Sequence, residues 1–278
     1  MDYQLKLNDY KRQIADLYSR RSSNYDDGDW HPRIAHRLVE YTQISSGQRI
    51  LDIATGTGMV AIKAAQIVGN EGQVIGIDIS SGMIEQARQK IKSLGLYNVE
   101  FQLADAETID LPKNNFDFIF CSSALIWMSD LLGALRLWHQ FLKPGGILGF
   151  HAFADTAFVA GTVAQKVLKK YGVSLLFSEP TGTIEKCHDL LLQSGFVQVD
   201  IKVEQDGSYI NLEKAKSMWV GSGSSPTPGQ YPNPLLKLTS EQLSQARLEF
   251  DAELESIETN QGIWNDITIF YAFGRKAT

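Results

Sequence analysis

Residues 51–60, LDIATGTGMV, restrict the fold more than any other part of the chain. A strand-like run, Arg49-Ile50-Leu51, leads into an acid, Asp52. Gly56 and Gly58 follow, and then an apolar helical run, Val60-Ala61-Ile62. A strand, a glycine turn and a helix form a cradle for a nucleotide-like ligand. The glycines let backbone approach the ligand, and the helix N-terminus points N–H groups at it. Gly56 to Ala61 also fits G-x-G-x-x-A, which alone is a weak sign of a dinucleotide site.

The flanking chain repeats the strand–helix alternation. Short β-branched or aromatic runs bounded by turn residues predict strands at 49–54, 73–79, 99–103, 116–121 and 147–153. Between them, 80–92 places Met83, Ile84, Ala87 and Ile91 on one helical face, with Ser80 or Ser81 as N-cap. In 130–142 the apolar residues are Leu131, Leu135, Trp138 and Leu142, and Lys143-Pro144-Gly145-Gly146 is a helix stop. Such alternation predicts an α/β fold, a parallel sheet with helices on both faces. Beyond 154, helices are expected near 157–171, 183–194 and 212–220, and strands at 197–203 and 267–273. A Gly/Ser/Pro loop over 221–234 is too long for an ordinary connection. The helix after it has Thr239 and Gln242 in capping-box spacing, with Leu243, Ala246, Phe250, Leu254 and Ile257 as its expected buried stripe.

Three acids at successive strand ends discriminate among ligands. Asp52 sits inside the turn, where an anion repels a pyrophosphate and suits a cationic group. Asp78 ends the second strand, where one carboxylate can hold two ribose hydroxyls. Asp105 follows the third strand, where it can accept from an adenine amino group. The set fits a ligand with a sulfonium or ammonium, a ribose and an adenine, and fits a dinucleotide poorly.

The chain resembles a class I S-adenosylmethionine-dependent methyltransferase. Within that class it is similar to the broad family of ubiquinone/menaquinone-biosynthesis and natural-product methyltransferases. The resemblance covers about 20 to 153. It rests on LDIATGTG (51–58), GIDISSGMIEQARQK (76–90), ADAE (104–107), NFDFIFCSSALIW (115–127) and FLKPGGILGFH (141–151), in that order. It implies a Rossmann-like three-layer sandwich of seven strands, mostly parallel, with an antiparallel last strand. It implies S-adenosyl-L-methionine as cofactor. Asp52, Ala54 and Gly56 would line the methionine end, beside Gly58 of the same turn. Asp78 would bind the ribose, Ile79 and Met83 would pack against ribose and adenine, and Asp105 and Ala106 would contact the adenine. Cys121 or Ser122 would offer backbone to the methionine amino group, and Tyr25 would reach the carboxylate or sulfonium side. Ala54 stands where the family has glycine, a change tolerated where the backbone angles are ordinary. One methyltransferase domain spans 1–278. It has a helical cover over 1–45, a cofactor-binding half over 46–153 and a substrate-side half over 154–278. An insert at 204–258 is expected, with 8–32, to close over the acceptor.

The acceptor is legible only as a small molecule. A phenol or alcohol needs a base for methyl transfer, and the candidates are His151, after the fifth strand, and His31, in the N-terminal cover. Trp30, Trp127, Trp219 and Tyr231 are candidate walls for an apolar ring. No metal-ligand cluster is visible, which disfavours metal-assisted chemistry. A net charge of −6 without a basic run argues against nucleic acid. No apolar stretch approaches roughly 18 residues, so no membrane insertion is expected. Two cysteines in unrelated contexts, and no leader-like N-terminus, suggest a reducing cytoplasmic setting. A homo-oligomer stays open. A nicotinamide oxidoreductase, or a binding module without an acceptor pocket, are the competing readings.

Overall fold

The computed structural model describes residues 5–28, 30–220 and 226–278. Its centre is a seven-stranded sheet. In chain order the strands are β1 (Arg49–Ile53), β2 (Gln73–Asp78), β3 (Val99–Leu103), β4 (Phe116–Cys121), β5 (Leu142–Phe153), β6 (Val197–Glu204) and, last of the seven, β9 (Ile269–Arg275). Their spatial order is β3-β2-β1-β4-β5-β9-β6. β1 pairs in parallel with β2 and β4, β2 with β3, and β4 with β5. β9 runs against β5, because Lys276 exchanges hydrogen bonds with Gly145 and Gly146 while Thr268 accepts from Ala154. The expected antiparallel last strand is therefore present.

The chain runs outward from β1 to β2 and β3, then returns to β4 on the other side. β1 and β4 thus flank a topological switch point, where open α/β sheets leave a crevice at the strand carboxyl ends. Helix α3 (Met59–Val68) follows β1 and packs Ala61, Ala64 and Ala65 into the core. Small side chains let the helix sit close to the sheet. Glycine is required at two points here. A Cβ on Gly76 would lie 2.6 Å from the Phe101 ring, and one on Gly58, with φ of 87°, would lie 2.9 Å from it.

Helix α4 (Ser81–Leu94) is N-capped by Ser80, whose Oγ accepts from the Met83 N–H at 3.2 Å. Helix α5 (Leu131–Phe141) is capped by Asp130. The Lys143–Gly146 stop lies inside β5, not before it: β5 begins at Leu142, and its register against β4 shifts between Phe116 and Phe118. Helices α1 (Asp9–Arg21) and α2 (Trp30–Glu40) precede the sheet.

The chain divides into two compact units. The first comprises Met1–His151, His188–Ile201 and Tyr271–Thr278, and the second Ala152–Cys187 and Lys202–Phe270. The second unit has its own core, where Val167, Leu168, Ala215, Trp219, Phe250 and Leu254 meet. Helices α6 (Val159–Lys169) and α9 (Ser240–Ser256) are tied by Lys166–Glu253 and Lys170–Glu249 ion pairs. Helix α7 (Ile184–Gln193) and the short α8 (Leu212–Ser217) match their expected places. The Thr239–Gln242 capping box forms as expected. Ala246, Phe250 and Leu254 are buried, but Ile257 is 43% exposed, because the helix ends at Ser256 and Ile257 is its C-cap. A two-stranded antiparallel sheet of β7 (Gly207–Ile210) and β8 (Ile263–Asp266) has no counterpart in the expected elements. Five residues of the expected Gly/Ser/Pro loop, 221–225, lie outside the described residues. No described helix is long and apolar enough to cross a membrane.

Candidate active site

A cavity of about 710 Å³, including its mouth, opens at the carboxyl ends of β1 to β4 within the first unit. Each wall comes from a strand exit. Ala54 and Gly56 follow β1, Asp78 and Ile79 end β2, Asp105 and Ala106 follow β3, and Ser122 and Ser123 follow β4. Met83 comes from α4, and Trp127 from the 3-10 turn Leu125–Trp127. Ten expected site residues therefore line one cavity: Tyr25, Ala54, Gly56, Asp78, Ile79, Met83, Asp105, Ala106, Ser122 and Trp127.

Asp78 is fixed by the turn it faces. Its Oδ2 accepts from the Gly56 N–H at 2.9 Å and its Oδ1 from the Ser80 N–H at 2.8 Å. Burial raises its pKa to about 6, against the lowering pull of those N–H donors. A carboxylate held at two points on a cavity wall still has lone pairs for hydroxyl donors. The residues therefore fit a ribose here.

Asp52 has a different position. It is buried off the cavity, and its Oδ2 accepts from Thr55 Oγ1 at 2.5 Å and from the Ala61 N–H at 3.1 Å. Burial raises its pKa to about 7. It braces the turn against the first turn of α3. Gly58 is the N-cap of α3 and also stands off the cavity. Ala54 has φ of 52°, in the left-handed region, so the ordinary backbone angles expected for it are corrected. A side chain there costs about 1–2 kcal/mol.

The expected N-terminal cover supplies one wall, through residues that the sequence did not single out. Helix α1 brings Lys11, Ile14 and Tyr18 to the cavity. Their i, i+3, i+7 spacing puts them on one helix face. Lys11 Nζ lies 2.6 Å from Asp105 Oδ2 and 2.7 Å from Glu107 Oε2, with Lys11 only 8% exposed and Asp105 6%. Burial acts against the Lys11 ammonium, but hydrogen bonds to the two acids outweigh it and raise its pKa. A second link joins Ser19 Oγ to Ser80 Oγ at 2.8 Å. Behind the β3 exit, Trp138 Nε1 donates to the Ala106 carbonyl at 2.8 Å.

The opposite end is aromatic. Tyr18 meets Tyr25 and Trp127 edge-on, with centroids 6.0 and 5.9 Å apart. Tyr25 stacks on His31 at 4.3 Å, and Trp30 meets His31 edge-on at 4.6 Å. The Arg21 guanidinium lies 5.6 and 5.8 Å from the Tyr18 and Tyr25 ring centres. Burial raises the pKa of both phenols, and burial with the nearby Arg21 charge lowers that of His31. His151 is 2% exposed and stands behind the wall. Its Nδ1 is 3.2 Å from Ser122 Oγ and its Nε2 3.1 Å from Ser123 Oγ. Burial, then the His31 charge, lowers its pKa to about 3.

The remaining expected residues are off the cavity. His31 and Trp30 lie behind Tyr25. Cys121 is buried in β4, where burial pushes its thiol pKa up. Trp219 and Tyr231 belong to the second unit, the first packed on Phe250 in its core and the second half exposed. Among the described residues no group of three or more His, Cys, Asp or Glu could hold a metal ion.

Known proteins resemble this chain in sequence and in fold. The family model described as a methyltransferase domain matches residues 44–190. The aklanonic acid methyltransferase DauC of Streptomyces sp. (strain C5) is 37% identical over 155 residues, covering 55% of this chain and 69% of that protein. The ubiquinone/menaquinone biosynthesis C-methyltransferase UbiE of Pseudoalteromonas translucida (strain TAC 125) is 37% identical over 148 residues. That match covers 51% of this chain and 59% of UbiE, so it spans under two thirds of that relative. Among solved structures, Haemonchus contortus phosphoethanolamine N-methyltransferase 2 with phosphomonomethylethanolamine and S-adenosylhomocysteine gives a TM-score of 0.61 at 15% identity. The match covers 98% of this chain and 61% of that one, and at such identity it is a likeness of fold.

Proposed function

This chain belongs to the S-adenosylmethionine-dependent methyltransferases, and from that premise we propose that it methylates a small, largely apolar or aromatic metabolite. The observation that carries the reading is the Asp78 carboxylate, held by Gly56 and Ser80 at the cavity wall. Asp78 would take the ribose hydroxyls, and Asp105 and Ala106 would meet the adenine. Ile79 and Met83 would supply the apolar faces. S-adenosylmethionine, when bound, supplies an electrophilic methyl group on a sulfonium.

The aromatic end supports an apolar acceptor. Tyr18, Tyr25 and Trp127 give flat, half-buried walls that exclude water and align a ring. Alignment is worth roughly 7–11 kcal/mol in reactions of this kind. Two imidazoles stand near this end, His31 behind Tyr25 and His151 behind Ser122 and Ser123. Of these, His151 reaches the cavity only through the Ser122 and Ser123 hydroxyls. The likeness to DauC, named an aklanonic acid methyltransferase, and to UbiE, named a C-methyltransferase of ubiquinone/menaquinone biosynthesis, supports a small-molecule acceptor. Two buried unpaired cysteines support a reducing, cytoplasmic setting.

Calorimetry tests the cofactor site: S-adenosylhomocysteine should bind and NAD should not. Labelled methyl transfer into a metabolite extract, read by mass spectrometry, then tests turnover. Binding of S-adenosylhomocysteine without transfer to any extract component would favour a non-catalytic binding module.

A further inference from the structure

Two hydroxyls and one imidazole form a connected group whose exits face the cavity. Ser122 and Ser123 line the wall, and each contacts one nitrogen of the buried His151 ring. Ser123 has φ of 59°, a left-handed conformation rare for a residue with a side chain. Such strain at a cavity wall persists where the surroundings demand it. Ser122 and Ser123 follow β4 and His151 lies within β5, not after it, across β1 from the strand ends that carry Asp78 and Asp105. Trp127 and Tyr18 share that wall.

A neutral imidazole has one N–H and one lone pair. When Nδ1 carries the hydrogen, it donates to Ser122 Oγ, and Nε2 accepts from the Ser123 hydroxyl. Ser122 is then free to donate into the cavity, while Ser123 can only accept there. The other tautomer exchanges the two roles. In both, the wall presents one donor and one acceptor. Two outward donors would need an imidazolium, which burial of the ring disfavours.

We propose that Ser122 and Ser123 form a hydrogen-bonding edge for the methyl acceptor, with His151 as the positioning residue that makes one hydroxyl a donor and the other an acceptor. The matching acceptor is a ring bearing a hydroxyl beside a carbonyl. This inference rests on the methyltransferase reading above and specifies its acceptor. No proton is transferred to His151 in this role.

The test uses the protein saturated with S-adenosylhomocysteine, and compares 2′-hydroxyacetophenone with acetophenone by calorimetry. The hydroxylated probe should bind about tenfold more tightly, the scale of a hydrogen-bonded pair. Of Ser122→Ala and Ser123→Ala, the one that removes the hydroxyl's partner should reduce that preference to about threefold or less and the other should weaken both probes alike, each with S-adenosylhomocysteine affinity within about twofold of wild type. His151→Gln, which keeps a donor and an acceptor, should retain the preference, and His151→Leu should lose it. The serine variants remove one surface-facing atom each and keep the test open should His151→Leu fail to fold. Equal binding of both probes by wild type, or an unchanged preference in both serine variants, would overturn the edge. A roughly tenfold loss of S-adenosylhomocysteine affinity in the serine variants would overturn it too, by assigning the hydroxyls to the methionine end. Wild type that fails to bind S-adenosylhomocysteine would overturn the reading beneath it.

Discussion

The two ends of the cavity solve opposite electrostatic problems. The end formed after β2 and β3 gathers charge: Asp78, Asp105, Glu107 and Lys11. The end formed after β4, with the N-terminal segment, gathers Tyr18, Tyr25, Trp127 and, behind them, His31 and His151; burial disfavours the charged forms of the two phenols and two imidazoles, and the Arg21 guanidinium faces the tyrosine rings. Polar recognition belongs at the first, because charge-assisted hydrogen bonds are about twice as strong as neutral ones. Within one cavity, burial against paired acids keeps charge at the first end, while burial among aromatic rings disfavours it on the phenols and imidazoles of the second.

The charged end should be the more fragile. Lys11→Met leaves Asp105 and Glu107 buried without a counter-charge, and one-sided loss of a buried pair costs about 3–5 kcal/mol. Urea unfolding checks this. A loss below about 1 kcal/mol, the range of surface pairs, would erase the contrast between the ends.

Ligand binding sharpens it further. Asp78→Ala should weaken S-adenosylhomocysteine binding by about 2–3 kcal/mol, roughly 30- to 140-fold, in a folded protein. Unchanged affinity by calorimetry would remove Asp78 from the nucleoside end.

The pH dependence of binding follows from the same carboxylate. Asp78 has a pKa raised to about 6 without ligand, and hydroxyl donors favour its ionised form. Binding therefore releases a proton. Affinity should be steady above about pH 7 and fall as pH drops through 6, by about tenfold between pH 7 and pH 5. Asp78→Asn should flatten the profile. If the slope survives in that variant, another group, with Asp52 the first suspect, titrates on binding.

The smallest effect belongs to the turn between the ends. Ala54→Gly relieves a left-handed alanine, and glycine's greater unfolded entropy offsets part of the gain. A net stabilisation of about 0.5–1 kcal/mol is expected by thermal unfolding. A destabilised variant would show that the Ala54 methyl packs against something that glycine cannot replace.

Local signals made the charged end readable. Gly56, Asp78 and Asp105 each sit at the end of a strand whose residues announce it, and the parallel pairing then brings those ends together. The turn's fine geometry was not readable, since nothing in LDIATGTG states that Ala54 is left-handed or that Asp52 points away from the cavity. Lys11 was missed because its partners are remote in sequence and a lysine on a polar helix reads as solvated. Ser123 stood in a quoted motif, yet its role depends on His151 from a neighbouring strand. The β7–β8 pair escaped because both strands are four residues long, too short to show a period. Ile257 was misplaced by extending a period past the end of its helix.

The Lys11 latch also dates the cavity. Lys11 and Asp105 are separated by 94 positions. A ribosome adding about 5–20 residues per second makes Asp105 roughly 5–20 s after Lys11. Helix α1 is thus synthesised before the acid loop on which it docks. Through that interval the face bearing Tyr10, Lys11 and Ile14 has no acid loop to dock on, and the nascent chain carries an amphipathic helix in waiting.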